Sequence, residues 1–338
     1  MAVVEDAREG GASRPVRLEE AVGVLIAARQ VVLLAHVNPD ADALGSALAL
    51  GLALHRAGAE VQVSFGAPAR PAESLRDLDV AGLVVTADEV VAAPELLVVL
   101  DTGSVDRLGP LADRAATAGT TLVIDHHVSN TGFGTHYYVD PRAEATAVMV
   151  LHLLDAMGAP VDLPTARCLY AGLVTDTRNF RAASPDTHAM AARLLVAGVD
   201  AEAVTRPLLD THPFSWLAML SAVLATARLE AGEARGLGLV HALVEREHVD
   251  SVRQEEVESV IDVLRTTAEA EVAVVLKQVG EQRWTASMRS KGGIDVATAA
   301  SALGGGGHRV SSGFTLDGDA PTILERVRRA LADAPLLG

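Results

Sequence analysis

The chain's apolar patterning predicts an α/β fold: a mainly parallel sheet flanked by helices, followed by a smaller α/β module. Three features carry that prediction. Short runs rich in Val, Ile and Leu alternate with longer Ala/Leu-rich segments in the first half, prolines punctuate a helical middle, and a second strand-and-helix pattern fills the last third. Strands that alternate with helices pair in parallel, and their fully buried positions read as continuous apolar runs.

The first run, Val31-Val32-Leu33-Leu34-Ala35, is β-branched and apolar. Pro39 and then an Ala/Leu-rich segment over 43–56 follow it, which reads as strand, loop and helix. Residues 60–65 alternate as a second strand. Residues 95–100 form an apolar strand ending at Asp101, and 121–124 another ending at Asp125. Helices are expected over 144–157, 163–176, 185–198 and 213–228, separated by Pro160, Pro164, Pro185 and Pro213. Beyond them the pattern gives a strand at 237–244, a helix at 249–267, strands at 271–279 and 283–289, a glycine-rich turn at 304–307 and an amphipathic helix from 321. A chain of 338 residues exceeds what one ordinary core serves. The expected division is a frayed tail at 1–17, a first domain at 18–205, a helical linker at 206–228 and a second domain at 229–338.

A formal net charge of −16 argues against a protein that grips long nucleic acid by neutralising many phosphates. Aromatic residues, at 3%, leave little material for a platform of stacked bases. Small anionic substrates remain compatible if cations supply local positive charge. The single Cys168 lies in an apolar helical stretch and has no partner for an internal disulfide, so it is expected to be a buried thiol in a reducing compartment. Residues 1–17 carry Glu5, Asp6, Arg8 and Glu9 and lack the apolar core of a signal peptide. Arg29 and Gln30 break the apolar stretch 21–35 below membrane-spanning length. A cytoplasmic location without a membrane partner is expected.

Candidate chemistry sits at the ends of the predicted strands, where parallel sheets present their ligand sites. His36, Asp40 and Asp42 share seven residues after the first strand, and Pro39 keeps that loop out of helix. The same segment also reads as an Asn-Pro-Asp turn that caps the next helix through Asp42. Asp101 ends another strand, where a turn-forming Asp before Thr102-Gly103 is the plain alternative. Asp125-His126-His127 ends a third strand, and Asp176 follows the apolar stretch 169–174. His36, Asp40, Asp42, Asp101, His126 and Asp176 make four carboxylates and two imidazoles with no thiolate, a set suited to Mn²⁺ or Mg²⁺ rather than structural zinc. So many carboxylates around one ion would be excessive, and two divalent cations are expected.

In order, His36-Asn38-Pro39-Asp40-Asp42, Asp101, Asp125-His126-His127 and Asp176 resemble the four motifs of the Asp-His-His (DHH) phosphoesterase family. Arg289-Ser290-Lys291 and Gly304-Gly305-Gly306-Gly307-His308 resemble the DHH-associated domain that follows in one branch. Within that branch the chain is similar to short bacterial oligoribonucleases, or nanoRNases, that also act as 3′-phosphoadenosine-5′-phosphate phosphatases or cyclic-dinucleotide phosphodiesterases. The resemblance implies a metal-dependent hydrolase of oligoribonucleotides of a few nucleotides, of linear or cyclic dinucleotides such as pApA or c-di-AMP, or of 3′-phosphoadenosine 5′-phosphate, giving nucleoside monophosphates.

The resemblance further implies that His36, Asp40 and Asp101 hold one cation, Mn²⁺ in preference to Mg²⁺, and that Asp42, Asp101, His126 and Asp176 hold the other. Asp101 would bridge them. Asp125 would support the strand-end turn, and His127 would meet the substrate phosphate or assist proton transfer. Asn130 in the following loop is a further substrate-contact candidate. In the second domain, Arg289, Ser290, Gly304, Gly305, Gly306, Gly307, His308 and Ser312 would grip the nucleotide, and Arg289 can contact phosphate in bidentate fashion where Lys291 offers a point charge. Clamping the nucleotide between the two domains would favour short substrates. A homodimer is implied as well. Ala41 stands where the family commonly has Gly, and Arg178-Asn179 where smaller residues are frequent, which bears on substrate preference. The alternatives are an inorganic pyrophosphatase of the same superfamily and a nucleotide-sensing module without turnover.

Overall fold

The computed structural model describes residues 13–249 and 252–337. They divide into two compact units, Met1–Asp210 and Thr211–Gly338. The first holds a six-stranded sheet of β1 (Arg14–Pro15), β2 (Gln30–Ala35), β3 (Glu60–Phe65), β4 (Leu96–Leu100), β5 (Thr120–Asp125) and β6 (His136–Val139), in the order β1-β6-β5-β4-β2-β3. Every pairing in it is parallel.

The central strands β2, β4 and β5 have apolar interiors because both of their faces are covered. On one face Val31, Leu33, Val98, Leu100, Leu122 and Ile124 pack against the helices Ala41–Arg56, Thr146–Ala156 and Leu163–Asp176. On the other, Val32, Leu34, Leu97, Val99 and Val123 meet Leu108 and Leu111 of the short 3₁₀ segment Val105–Leu111. The pairings Val31–Leu96 and Leu96–Thr120 set the register, which continued along the strands brings His36, Asp101 and Asp125 level at the sheet's carboxyl end.

Of the stretch expected to fray, residues 1–12 lie outside the described residues. Arg14 and Pro15, by contrast, pair with His136 and Tyr137 and extend the sheet. Cys168 is buried, and its thiol donates to the Leu78 carbonyl at 3.5 Å. Among the described residues no single helix is long and apolar enough to cross a membrane.

The second unit is built on β7 (Arg228–Glu230), β8 (Leu239–Val244), β9 (Val272–Gly280), β10 (Arg283–Ser290), β11 (Gly306–His308) and β12 (Ser311–Asp317), in the order β11-β12-β10-β9-β8-β7. Only β8 and β9 run parallel among these pairs. One face packs on Phe214–Ala225 and Gln254–Leu264, the other on Val296–Ala302 and Ala320–Asp333. Within the stretch expected as a linker, residues up to Asp210 belong to the first unit, and Met219 and Val223 enter the core of the second.

Candidate metal centre

His36 follows β2 directly, and Asp101 follows β4 in the left-handed region at φ 53°. Such a torsion in a non-glycine residue costs free energy and persists where the surroundings fix it. Asn38, between His36 and Asp40, is left-handed too, at φ 52°, a conformation that Asn tolerates better than most residues. These turns bring together side chains from four segments of the first unit.

His36 Nε2 lies 3.6 Å from Asp101 Oδ2 and 3.9 Å from Asp40 Oδ2. His126 Nε2 lies 3.4 Å from Asp101 Oδ1, 3.3 Å from Asp176 Oδ2 and 3.9 Å from Asp42 Oδ2. The six predicted ligands thus form two groups able to hold a metal ion, His36–Asp40–Asp101 and Asp42–His126–Asp176, with Asp101 reaching both. Each imidazole is set by its other nitrogen. His36 Nδ1 donates to the Val37 carbonyl at 2.8 Å and His126 Nδ1 to the Ala143 carbonyl at 2.9 Å, so both Nε2 atoms face the carboxylates. A carbonyl partner for the second ring nitrogen is how metal-binding histidines are commonly oriented.

The capping alternative is realised by Asp40 rather than Asp42. Asp40 Oδ1 accepts from Ala43 N at 3.0 Å and starts the helix Ala41–Arg56, while its side chain stays 54% exposed. Asp42 is fully buried. It accepts from Thr146 N at 2.6 Å and Ala147 N at 2.9 Å, the first amides of the helix Thr146–Ala156, where the helix dipole favours negative charge. Thr146 Oγ1 also donates to Asp101 Oδ1 at 3.0 Å.

The electrostatics follow from this crowding. Burial, then Asp176 and Asp101, push Asp42 well above the usual carboxylate range. Burial also raises Asp176, to about 6, with Asp40 and Asp101 adding to the rise and His126 opposing it. Burial works against charge on Asp101 as well, but His127, His126 and His36 outweigh it and hold that carboxyl well below its ordinary value. Burial alone would depress His126, yet Asp101 and Asp176 hold it well above the ordinary imidazole value. Four carboxylates this close repel one another unless positive charge is shared among them, and the donor set fits divalent cations on those grounds.

Asp125 points elsewhere. Its Oδ1 accepts from His127 Nδ1 at 2.7 Å and from the backbone N–H groups of His126 and His127 at 2.9 and 3.2 Å, and its Oδ2 accepts from Asn130 Nδ2 at 2.6 Å. His127 Nδ1 is also 3.6 Å from Asp101 Oδ1. Asn130 was expected to contact substrate. Its amide nitrogen donates to Asp125 and to the Thr102 carbonyl at 3.3 Å, and its oxygen accepts from Gly132 N at 2.7 Å, so both ends of the amide take part in holding the loop.

In the second unit, Ser290 and Ser312, both expected at the nucleotide, have their hydroxyl protons engaged within the fold. Ser290 Oγ donates to Glu271 Oε1 at 2.8 Å and accepts from Gly292 N at 3.0 Å, and Ser312 Oγ donates to the Val296 carbonyl at 2.7 Å; both residues are buried. The glycine-rich segment has a packing requirement of its own. Residues 306–308 pair with 311–313, and a Cβ on Gly305 would stand 2.0 Å from the Gly313 carbonyl oxygen. Arg289 Nη1 donates to the Met288 carbonyl at 3.0 Å. Lys291 Nζ donates to the Thr267 carbonyl and, at 3.3 Å, to that of Ala268, so it closes a turn.

The sequence reading missed Thr146 and Arg107. Thr146 works largely through a backbone amide, which no side-chain pattern reveals. Arg107, whose Nη1 lies 3.5 Å from His127 Nε2, was signalled only by being the first basic residue after Asp101.

Residues 30–173 match the model of the DHH family, N-terminal domain, and residues 239–333 that of the DHHA1 domain. The chain is 33% identical over 306 residues to the bifunctional oligoribonuclease and PAP phosphatase NrnA of Thermus thermophilus, covering 90% of this chain and 89% of that protein. It is 26% identical over 322 residues to the cyclic-di-AMP phosphodiesterase GdpP of Geobacillus thermodenitrificans, covering 90% of this chain and 47% of that one. An exopolyphosphatase-related protein from Bacteroides fragilis shares the fold, with a TM-score of 0.80 at 22% identity over 93% of this chain and 95% of its own. By its match to both domain models and its identity to the Thermus protein over 90% of its length, the chain belongs to the DHH family of phosphoesterases, in the branch that carries a DHHA1 domain.

Proposed function

We propose that the protein hydrolyses phosphoester bonds of short nucleotides with a pair of divalent cations. The substrates are oligoribonucleotides of a few nucleotides, linear or cyclic dinucleotides, and 3′-phosphoadenosine 5′-phosphate, and the products are nucleoside monophosphates. One observation carries the reading: Asp101 turns its two oxygens to two different imidazoles, Oδ2 to His36 and Oδ1 to His126, each within its own carboxylate group. His36, Asp40 and Asp101 would hold one cation, and Asp42, Asp101, His126 and Asp176 the other. Mn²⁺ is preferred over Mg²⁺ because imidazole nitrogens favour the softer ion.

Cations held there supply Lewis acidity to phosphoryl oxygens and make water a competent nucleophile near neutral pH. The chain's own groups do the rest. Asp125 accepts a 2.7 Å hydrogen bond from His127 Nδ1–H, and Asn130 steadies the other oxygen of Asp125, so the imidazole is fixed with Nε2 turned away. Burial opposes charge on His127, but Asp101 and Asp125 outweigh it and raise its value, so the ring can carry a second proton; Nε2–H of that imidazolium is the group assigned to meet a phosphoryl oxygen or pass a proton to the leaving group. In the second unit we assign the grip on the nucleotide's anionic end to Arg289, the 304–307 turn and His308. The activities named for the Thermus and Geobacillus relatives support short nucleotides as the substrate class. A cytoplasmic homodimer completes the proposal.

The test is an Mn²⁺-supplemented assay of a linear dinucleotide, a cyclic dinucleotide, 3′-phosphoadenosine 5′-phosphate and pyrophosphate, repeated with Asp101→Ala. Turnover of at least one nucleotide is expected, with a loss of about 10³-fold or more in the variant, since one carboxylate serves both cations. Phosphate release from pyrophosphate alone would move the chain to the pyrophosphatase class. Saturable nucleotide binding without product would mark a sensor.

A further inference from the structure

Arg107 lies on the segment Val105–Leu111, six residues past Asp101, and its guanidinium stands at the edge of the carboxylate cluster. We infer that Arg107 is a substrate-binding residue that engages the scissile phosphoryl group from the side of His127. The inference rests on the phosphoesterase reading above and adds to it a cationic contact from the chain itself.

Three observations support it. First, Arg107 Nη1 lies 3.5 Å from His127 Nε2, the ring nitrogen that Asp125 leaves turned away. An oxygen brought within reach of that nitrogen is within reach of the guanidinium too. Second, among the described residues no carboxylate lies within ion-pair distance of Arg107, although the chain has 44 acidic side chains and four of them crowd the adjacent cluster. Elsewhere arginines near carboxylates pair with them: Arg193 with Asp155 at 2.6 Å, Arg328 with Glu230 at 2.7 Å and Arg56 with Asp162 at 2.8 Å. Third, the backbone of Arg107 is anchored before any ligand arrives. Its carbonyl accepts from Val37 N at 2.9 Å and its N–H donates to the Ser104 carbonyl at 3.1 Å, while the following Leu108 is fully buried. Val37 adjoins His36, so one hydrogen bond ties the segment bearing the guanidinium to the loop bearing a proposed ligand. A charge held in place in advance costs little reorganisation when it meets an anion, and a guanidinium presents donors spaced for two phosphoryl oxygens.

The experiment compares full-length wild type, Arg107→Ala and Arg107→Lys, each shown by circular dichroism to be folded. Mn²⁺ binding and AMP binding are measured by calorimetry, and dinucleotide hydrolysis is measured with and without millimolar guanidinium ion. Arg107→Ala is expected to keep its Mn²⁺ affinity, to bind AMP about tenfold or more weakly, and to lose about 10²–10³ in kcat/KM, the scale on which a single oriented donor acts. Added guanidinium should restore part of the lost rate in the Ala variant and none in wild type, and Arg107→Lys should recover less than a tenth of wild-type kcat/KM because a point charge cannot reproduce the fork. Turnover of Arg107→Ala within threefold of wild type would overturn the assignment, as would loss of Mn²⁺ affinity in parallel with rate, which marks a structural role. A wild type that turns over none of the nucleotides defeats the functional reading itself, an outcome separate from an active wild type with an indifferent Arg107.

Discussion

Burial pushes the Asp176 carboxyl up to about 6 against the opposing His126, with Asp40 and Asp101 adding to the rise. A proton and a divalent cation compete for the same oxygens, so the sign of the pH effect on metal affinity follows directly. Above about pH 6 the carboxylate is ionised and ready to bind, and below it each unit of pH leaves about tenfold fewer ionised groups. Mn²⁺ titrations by calorimetry should therefore show affinity falling as pH drops through this window, with proton release on binding near its centre. An affinity indifferent to pH there would remove Asp176 from the ligand set. At this scale the sequence was informative where a side chain ends a strand: His36, Asp101 and His126 are read from apolar runs that stop at a polar residue. It was silent where a contact is made by a backbone amide, as at Thr146 and Ala147, or where a loop closes on itself, as at Asn130.

Between elements, the helix Ala41–Arg56 carrying Asp42 lies against Leu163–Asp176 closely enough that Gly172 has no room for a side chain. A Cβ there would stand 2.6 Å from Asp42 Oδ1 and 2.9 Å from the Ala147 Cβ. In a free helix Gly→Ala stabilises by roughly 1 kcal/mol. Here the added methyl must displace a buried carboxylate that two backbone amides hold, and overpacking of that kind costs about 1–3 kcal/mol. The clash is expected to win, so Gly172→Ala should lower the denaturation midpoint and weaken Mn²⁺ binding about tenfold, because it moves Asp42. Chemical denaturation with and without Mn²⁺ checks both effects, and a stabilised variant with unchanged metal affinity would contradict the packing argument. The long helices and central strands were legible for the same reason that they pack: burial on two faces or one leaves a periodic trace. The short strands β1, β6 and β7 span two to four residues and bury too little to leave one. The helix Val296–Ala302 and β12 escaped because Ala, Ser and Gly carry weak propensity signals, and their placement depends on contacts with Met288, Ile323 and Leu331.

For the whole molecule, 44 acidic against 28 basic side chains set the conditions for any polyanion that approaches. Each of the two units has its own sheet and core, and all six proposed ligands belong to the first. Under the proposed reading, with a net charge of −16, positive charge for the substrate comes locally from cations and single arginines such as Arg107. Counterion release makes this measurable. The salt dependence of single-strand binding scales at about −0.7 per neutralised phosphate, so one or two phosphates give a slope of about −0.7 to −1.4, whereas a groove contacting six to ten gives about −4 to −7. Dinucleotide affinity measured across salt concentrations at fixed Mn²⁺ should give the shallow slope, and a longer oligonucleotide should give nearly the same slope, since the added phosphates meet an acidic surface and displace no counterions. A slope that steepened with each added nucleotide would reveal an extended track of cationic contacts and would place the protein among enzymes that thread long strands.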